Sequence, residues 1–108
     1  MADLNPADKT LTVASVREEN GTPVIYLSGE LDLISAGQFS AAIDAALGSH
    51  PGGLILDASG LNFMDSSGIV LLVSAAQRAR EVQVRNPTPI VRRLIELTGL
   101  SDVLRITL

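Results

Sequence analysis

Residues Leu54–Leu72 read LILDASGLNFMDSSGIVLL, and the parsing of this stretch decides the fold. Leu54-Ile55-Leu56 is a short unbroken apolar run, as expected of a strand buried on both faces. Asp57 to Asp65 is polar, contains a glycine and reads as a long loop. From Ser66 the pattern turns helical: Ile69, Leu72, Val73 and Ala76 share one face of a helix predicted over Ser66–Arg80. Val70 and Leu71 lie outside that face. They are either covered by the rest of the domain or form an apolar patch beside the helix start.

Upstream, Thr10 to Val16 alternates apolar and polar residues with the period of a half-buried strand. Asn20-Gly21 is a strong hairpin signal, because both residues tolerate positive φ. Val24-Ile25-Tyr26-Leu27 is the returning strand, and Gly29-Glu30-Leu31-Asp32 reads as the loop that ends it. Ser35 is placed to cap a helix running through Leu47, with Phe39, Ile43, Ala46 and Leu47 on its apolar side. Gly48 to Gly52 breaks that helix, and His50 within the break reads as an exposed turn residue.

Downstream, Val82 to Val84 predicts a brief strand. Thr88 is set as N-cap of a further helix, with Pro89 at its first position, where a missing N–H does no harm. Ile90, Val91, Leu94 and Ile95 are expected to face inward, and Arg92, Arg93 and Glu96 outward. Gly99 followed by Leu100 reads as a left-handed C-cap. Val103 to Ile106 suits either a last strand or a short terminal helix. The order β-β-α-β-α-β-α gives an α/β fold: a mixed sheet opened by a β-hairpin, with about three helices packed mainly on one face.

Composition narrows the function. A chain of 108 residues is one domain's worth, read here as a flexible stretch 1–9 and a domain over 10–108. Hydrophobic residues make up 46 % of it, with one Tyr, two Phe and no Trp, so Leu, Ile, Val and Ala must build the core and no stacking platform for bases exists. The net charge of −4 also argues against nucleic acid. With no Cys and a single His, no thiolate or imidazole metal site is expected, and no cofactor. The N-terminus lacks a secretory pattern and no apolar run approaches a span of roughly 20 residues, so a cytoplasmic protein without membrane insertion is expected. The arginines Arg78, Arg80, Arg85, Arg92 and Arg93 are interrupted by acids and read as a solvated face.

Asp65-Ser66-Ser67-Gly68 stands at a helix start, where the first N–H groups lack intrahelical partners and the helix end is partially positive. Taken alone, the tetrapeptide reads first as a helix cap. It is also a place where an added phosphate is tolerated. A serine nucleophile is disfavoured, since no Gly-x-Ser-x-Gly elbow occurs and the single His lies in an unrelated loop.

Three blocks, LSGELDLISAGQF (Leu27–Phe39), LDASGLNFMDSSGIVLL (Leu56–Leu72) and NPTPIVRRLIELTGLSDVL (Asn86–Leu104), stand in order and at suitable spacing. Together they resemble the stand-alone STAS domains of bacterial anti-sigma factor antagonists, over essentially the whole chain from Thr10 to Ile106. The resemblance implies a STAS-like fold and a non-enzymatic, phosphorylation-switched binding module. By that match Ser66 is the phosphate acceptor, with Ser67 as second choice. The kinase is the anti-sigma factor itself, and a phosphatase restores the active form. The unphosphorylated antagonist binds the kinase and so releases a sigma factor for transcription, as in stress responses. The resemblance further implies that Glu30 and Asp32 lie beside the serine loop and that Asp65, Ser67, Gly68, Ile69 and Val70 complete the partner-facing surface. The alternative is a STAS adaptor subunit of a signalling assembly or membrane transport system. One departure stands out: the segment Arg78–Arg85 is about one helical turn shorter than is usual in the family, which leaves the register of the following strand open.

Overall fold

The structure, a computed structural model, describes residues 12–49 and 52–107. The stretch 1–9 expected to be flexible, the first two residues of the predicted opening strand, and His50 lie outside the described residues. The elements are β1 (Thr12–Glu19), β2 (Thr22–Leu31), α1 (Ala36–Ser49), β3 (Gly53–Met64), α2 (Ser66–Arg78), β4 (Glu81–Arg85), α3 (Pro89–Leu97), a 3₁₀ turn at Leu100–Asp102 and β5 (Arg105–Thr107). The strands form one sheet in the order β1-β2-β3-β4-β5. β1 and β2 pair antiparallel, and every other neighbouring pair is parallel.

The opening hairpin forms as the Asn-Gly signal predicts, with φ of 53° at Asn20 and 84° at Gly21. Leu27, Leu31, Leu54, Leu56, Leu61, Val82 and Val84 come from one face of the strands and join residues of α1, α2 and α3 in one buried cluster. Phe39, Ile43, Ala46 and Leu47 of α1 are all buried in it, as their helical spacing predicts. Leu72 and Ala75 enter it from α2, and Val91 and Ile95 from α3. The helices therefore cover one face of the sheet.

Four local expectations need correction. Gly29-Glu30-Leu31 is not a loop: β2 runs on to Leu31, and Leu31 is fully buried. Asp57–Met64 likewise continues β3, and only Asp65 separates it from α2. The alternating pattern is hidden because β3 takes up extra residues at two irregularities. The register passes from Tyr26↔Asp57 to Ser28↔Gly60, and from Gly29↔Leu61 to Glu30↔Phe63. Each bulge shifts the period-2 signal by one residue. Helix α2 stops at Arg78, two residues before the predicted end, and the strand after it registers normally against β3, from Gly53↔Glu81 to Asp57↔Arg85. Ile90 points outward, with 61 % of its surface exposed. The chain end resolves into a 3₁₀ turn followed by a short parallel strand.

The other face of the sheet carries a polar network that no local pattern announces. Arg85 grips Glu19 with two bonds, Nη1 to Oε1 at 2.9 Å and Nη2 to Oε2 at 3.2 Å. Its Nε donates to Asp57 Oδ2 at 3.0 Å, and the Tyr26 hydroxyl donates to Glu19 Oε2 at 3.1 Å. The guanidinium carbons of Arg17 and Arg85 lie 5.9 and 5.8 Å from the Tyr26 ring centroid. Arg85, expected on a solvated face, thus ties β1, β2, β3 and β4 together.

Burial pushes the Asp57 carboxyl up, but the Ser59 hydroxyl and N–H and the Arg85 guanidinium outweigh that and hold it below the ordinary range. Hydrogen bonds from Arg85 and Tyr26 hold Glu19 low as well. Because both folded-state values are depressed, their stabilisation is complete above the ordinary carboxylate range of about 4 and is lost as pH falls through the lowered values. Urea midpoints measured from pH 7 to about pH 2.5 should fall more steeply for the native sequence than for Asp57→Asn. Parallel curves would show that Asp57 does not couple to folding.

Candidate functional site

Parallel β2, β3 and β4 each lead directly into a helix, so the N-termini of α1, α2 and α3 gather at one end of the sheet. In such a sheet the crevice at the carboxyl ends of the strands is where ligands and partners are met. Ser66 sits there as the first residue of α2.

The geometry of the α2 start follows from Asp65. Its backbone is extended, and its Oδ1 accepts from the Ser67 N–H at 2.8 Å. Its carbonyl accepts from Gly68 N at 3.1 Å and Ile69 N at 3.3 Å. Asp65 is thus the N-cap, and it consumes three of the first donors of the helix. Ser66 remains exposed, and among the described residues its hydroxyl has no hydrogen-bond partner. Ser67 is half-buried, with its N–H engaged by the cap. The two hydroxyls that look equivalent in sequence are therefore unequal in access. An anion on Ser66 would project into solvent rather than settle into a ring of free N–H groups.

Gly68 lets this first turn lie against the sheet. It is buried, and a Cβ there would run into Met64 Cγ first, with Leu31 Cδ2 and Met64 Sδ at 2.8 Å. Gly68→Ala should therefore lower stability by about 1–3 kcal/mol. Thermal unfolding checks this, and an unchanged midpoint would show that Met64 and Leu31 yield freely.

The GELD segment lies beside the serine turn. The Asp65 N–H donates to the Leu31 carbonyl at 3.0 Å, and Glu30 pairs in register with Phe63. Glu30 and Asp32 differ in employment. The Asp32 Oδ1 accepts from Ile34 N at 3.0 Å and from Ser35 N at 3.1 Å. That carboxylate builds the turn into α1. Ser35, expected to cap the helix, stands directly before α1 with its carbonyl accepting from Gln38 N at 3.1 Å and Phe39 N at 3.3 Å. It is buried, and its hydroxyl donates to the Glu30 carbonyl at 2.9 Å. The Glu30 carboxylate has no partner among the described residues and is half-buried at the rim.

Around these groups the surface is apolar. Val70 is 64 % exposed, whereas Ile69 is half-buried against the core. Phe63 at the end of β3 is 44 % exposed, and Leu33 and Ile34 in the β2–α1 turn are more open still. Sequence periodicity has no means of finding these three, because it scores apolar residues for burial and gives loop residues no weight. The signal that could find them is their adjacency to GELD and DSSG. Thr88 is the N-cap residue of α3 with Pro89 at its first position, as expected. It makes no side-chain cap, and its hydroxyl donates instead to the Leu61 carbonyl at 2.7 Å. That bond fastens the start of α3 to β3 just upstream of the serine turn.

Among the described residues no group of three or more His, Cys, Asp or Glu is arranged to hold a metal ion. No described helix is long and apolar enough to cross a membrane.

Known proteins are similar to this chain in sequence and in fold. The chain is 31 % identical over 106 residues to the anti-sigma-F factor antagonist RsfB of Mycobacterium tuberculosis, covering 94 % of this chain and 83 % of the relative. Its fold superposes with a TM-score of 0.85 on an anti-sigma factor antagonist from Mycobacterium paratuberculosis, at 29 % identity and 94 % and 88 % coverage of the two chains. The Bacillus cell fate determinant SpoIIAA in its phosphorylated form gives a TM-score of 0.66 at 28 % identity, with 85 % of this chain and 88 % of that one covered. SpoIIAA in its unphosphorylated form gives 0.72 at 28 % identity, with 85 % of each chain covered. Residues 14–106 match the family described as "Mlab, STAS domain". With its hairpin-led mixed sheet and three helices, this chain belongs to the STAS domain family.

Proposed function

We propose that this protein is an anti-sigma factor antagonist whose hold on its partner is set by phosphorylation of Ser66. The observation that carries the reading is the asymmetry at the α2 start. The Ser66 hydroxyl is exposed and unengaged on a turn fixed by the Asp65 cap, inside an apolar and acidic rim. Similarity to proteins named anti-sigma factor antagonists, and to SpoIIAA, which has been seen in both phosphorylation states, supports it.

In the unphosphorylated form, Val70, Ile69, Ser67, Gly68 and the edge formed by Glu30, Asp32 and Asp65 meet an anti-sigma factor that is also a serine kinase. Sequestering that factor frees a sigma factor for transcription in the cytoplasm. The kinase transfers the γ-phosphoryl of ATP to Ser66 Oγ, and the hydroxyl proton is lost as ADP leaves. A phosphate of about −1.5 to −2 charge then stands against a surface that had excluded water. Like charges brought together in an interface cost several kcal/mol, and each 1.4 kcal/mol is about tenfold in affinity. A phosphatase restores the binding form by hydrolysing the ester.

Incubation with the anti-sigma kinase and ATP, followed by intact-mass and peptide mapping, tests the assignment. One phosphate at Ser66 is expected, and none in Ser66→Ala. A phosphate at any other position, or no mass gain, rules the acceptor out.

A further inference from the structure

Helix α3 leaves an apolar row uncovered. Val91 and Ile95 are buried, but Ile90 is 61 % and Leu97 71 % exposed, and Leu94 between them is half-buried. With Pro89 and Arg93 these residues line a shallow groove. Positions 90, 94 and 97 follow helical spacing, so they form a continuous stripe along the outside of the helix.

Charge points to what belongs there. Arg92 is paired with Glu96 at 3.2 Å along the helix. Arg93, which borders the stripe, has no acidic partner among the described residues. In a chain of net charge −4, an unpaired guanidinium beside an apolar row favours an apolar segment that carries a carboxylate. A second copy of this chain would instead bring a short, nine-residue helix and more negative charge overall.

Placement points to whose segment it is. The groove begins at the N-terminus of α3, which the Thr88–Leu61 bond fixes on β3 just upstream of Asp65. Phe63, exposed on the stretch of β3 between that anchor and Asp65, adds apolar surface at the same end of the sheet.

We infer that the groove of Pro89, Ile90, Arg93, Leu94 and Leu97 is a second contact for the same anti-sigma factor, occupied by an amphipathic, acidic helix of that partner. The inference rests on the anti-sigma reading above and extends its interface beyond the phosphate-bearing turn. Because none of the groove residues belongs to that turn, the groove adds to affinity independently of the switch and does not by itself hold the partner once Ser66 is phosphorylated.

The test titrates the anti-sigma factor with the native chain and with Leu97→Ser, Arg93→Glu and Ser66→Asp, each checked for native thermal unfolding. Leu97→Ser should weaken Kd about 5- to 10-fold by removing buried apolar area, and Arg93→Glu about 10-fold or more, with reduced salt dependence. A photo-crosslinker placed at position 97 should capture an acidic, apolar segment of the anti-sigma factor. Native affinity in both groove variants, or a crosslink to a second copy of this chain, overturns the groove while leaving the switch intact if Ser66→Asp still fails to bind. Failure of the native chain to bind the anti-sigma factor at all overturns both.

Discussion

Ser66→Asp should bind the anti-sigma factor at least about 10- to 100-fold more weakly than the native chain while unfolding at the same temperature. The two readouts separate because they depend on different neighbours. For stability, the helix N-terminus favours a negative charge by about 0.3–1 kcal/mol. Here the benefit sits at the bottom of that range, since the Asp65 cap already engages the N–H groups of Ser67, Gly68 and Ile69 and contributes a carboxylate of its own. For binding, the same charge must be desolvated against a partner that had packed on Val70 and the exposed Phe63. An uncompensated charge there costs several kcal/mol. Ser66→Ala should bind as the native chain does and remain bound in the presence of ATP. The enzymatically phosphorylated protein, with about twice the charge of the aspartate, should bind more weakly still. Isothermal titration and thermal unfolding on one set of proteins decide the matter. Equal affinity of Ser66→Ala and Ser66→Asp removes the switch.

The helices and the hairpin are readable because each carries a local signal. Phe39, Ile43, Ala46 and Leu47 keep helical spacing, and Asn20-Gly21 meets a backbone requirement that few other pairs meet. The second half of β3 is not readable. Asp57, Ser59 and Asn62 look like loop residues by composition, yet Asp57 is buried and accepts from the Ser59 N–H at 3.1 Å and hydroxyl at 2.7 Å. That local hydrogen bonding supports the bulge which breaks the alternation. Asp57 is tolerable inside the strand because Arg85, 28 residues later, reaches it. No window of local sequence contains that pairing. The same holds at the serine turn. The chemistry of DSSG is visible, but the difference between Ser66 and Ser67 depends on which N–H the Asp65 side chain selects. The outward turn of Ile90 is missed because apolar residues are assigned to cores by default, a rule that fails where a surface has a use for them.

Gly60→Ala should be the most destabilising of the single-methyl additions, by about 1–3 kcal/mol or somewhat more, whereas Gly37→Ala should raise stability. Gly60 pairs with Ser28 just after the first irregularity of β3, where the strand comes back into register. A Cβ at Gly60 would lie 2.8 Å from Ser28 Cβ, 3.1 Å from the Leu27 carbonyl oxygen and 3.3 Å from Ser28 Cα. Two of those atoms are backbone of β2, which is held on both sides by β1 and β3. They cannot retreat as the side chains of Met64 and Leu31 can at Gly68. The chain must instead open the β2–β3 ladder, which also carries the Leu31–Asp65 bond that sets the serine turn. Gly37 meets the opposite circumstances. It lies in the first turn of α1, and a methyl group there would have nothing within 4 Å of it. Alanine at that position removes backbone freedom from the unfolded chain at no steric cost, for a gain of at most about 0.5–1 kcal/mol. For a domain of this size, a change of about 1 kcal/mol moves the unfolding midpoint by roughly 4 °C, so calorimetry resolves both signs. Below its own midpoint Gly60→Ala should also bind the anti-sigma factor less tightly, because a loosened ladder no longer fixes Asp65. A Gly60→Ala protein that melts with the native chain would show that β2 is free to shift, and the serine turn would then need another anchor.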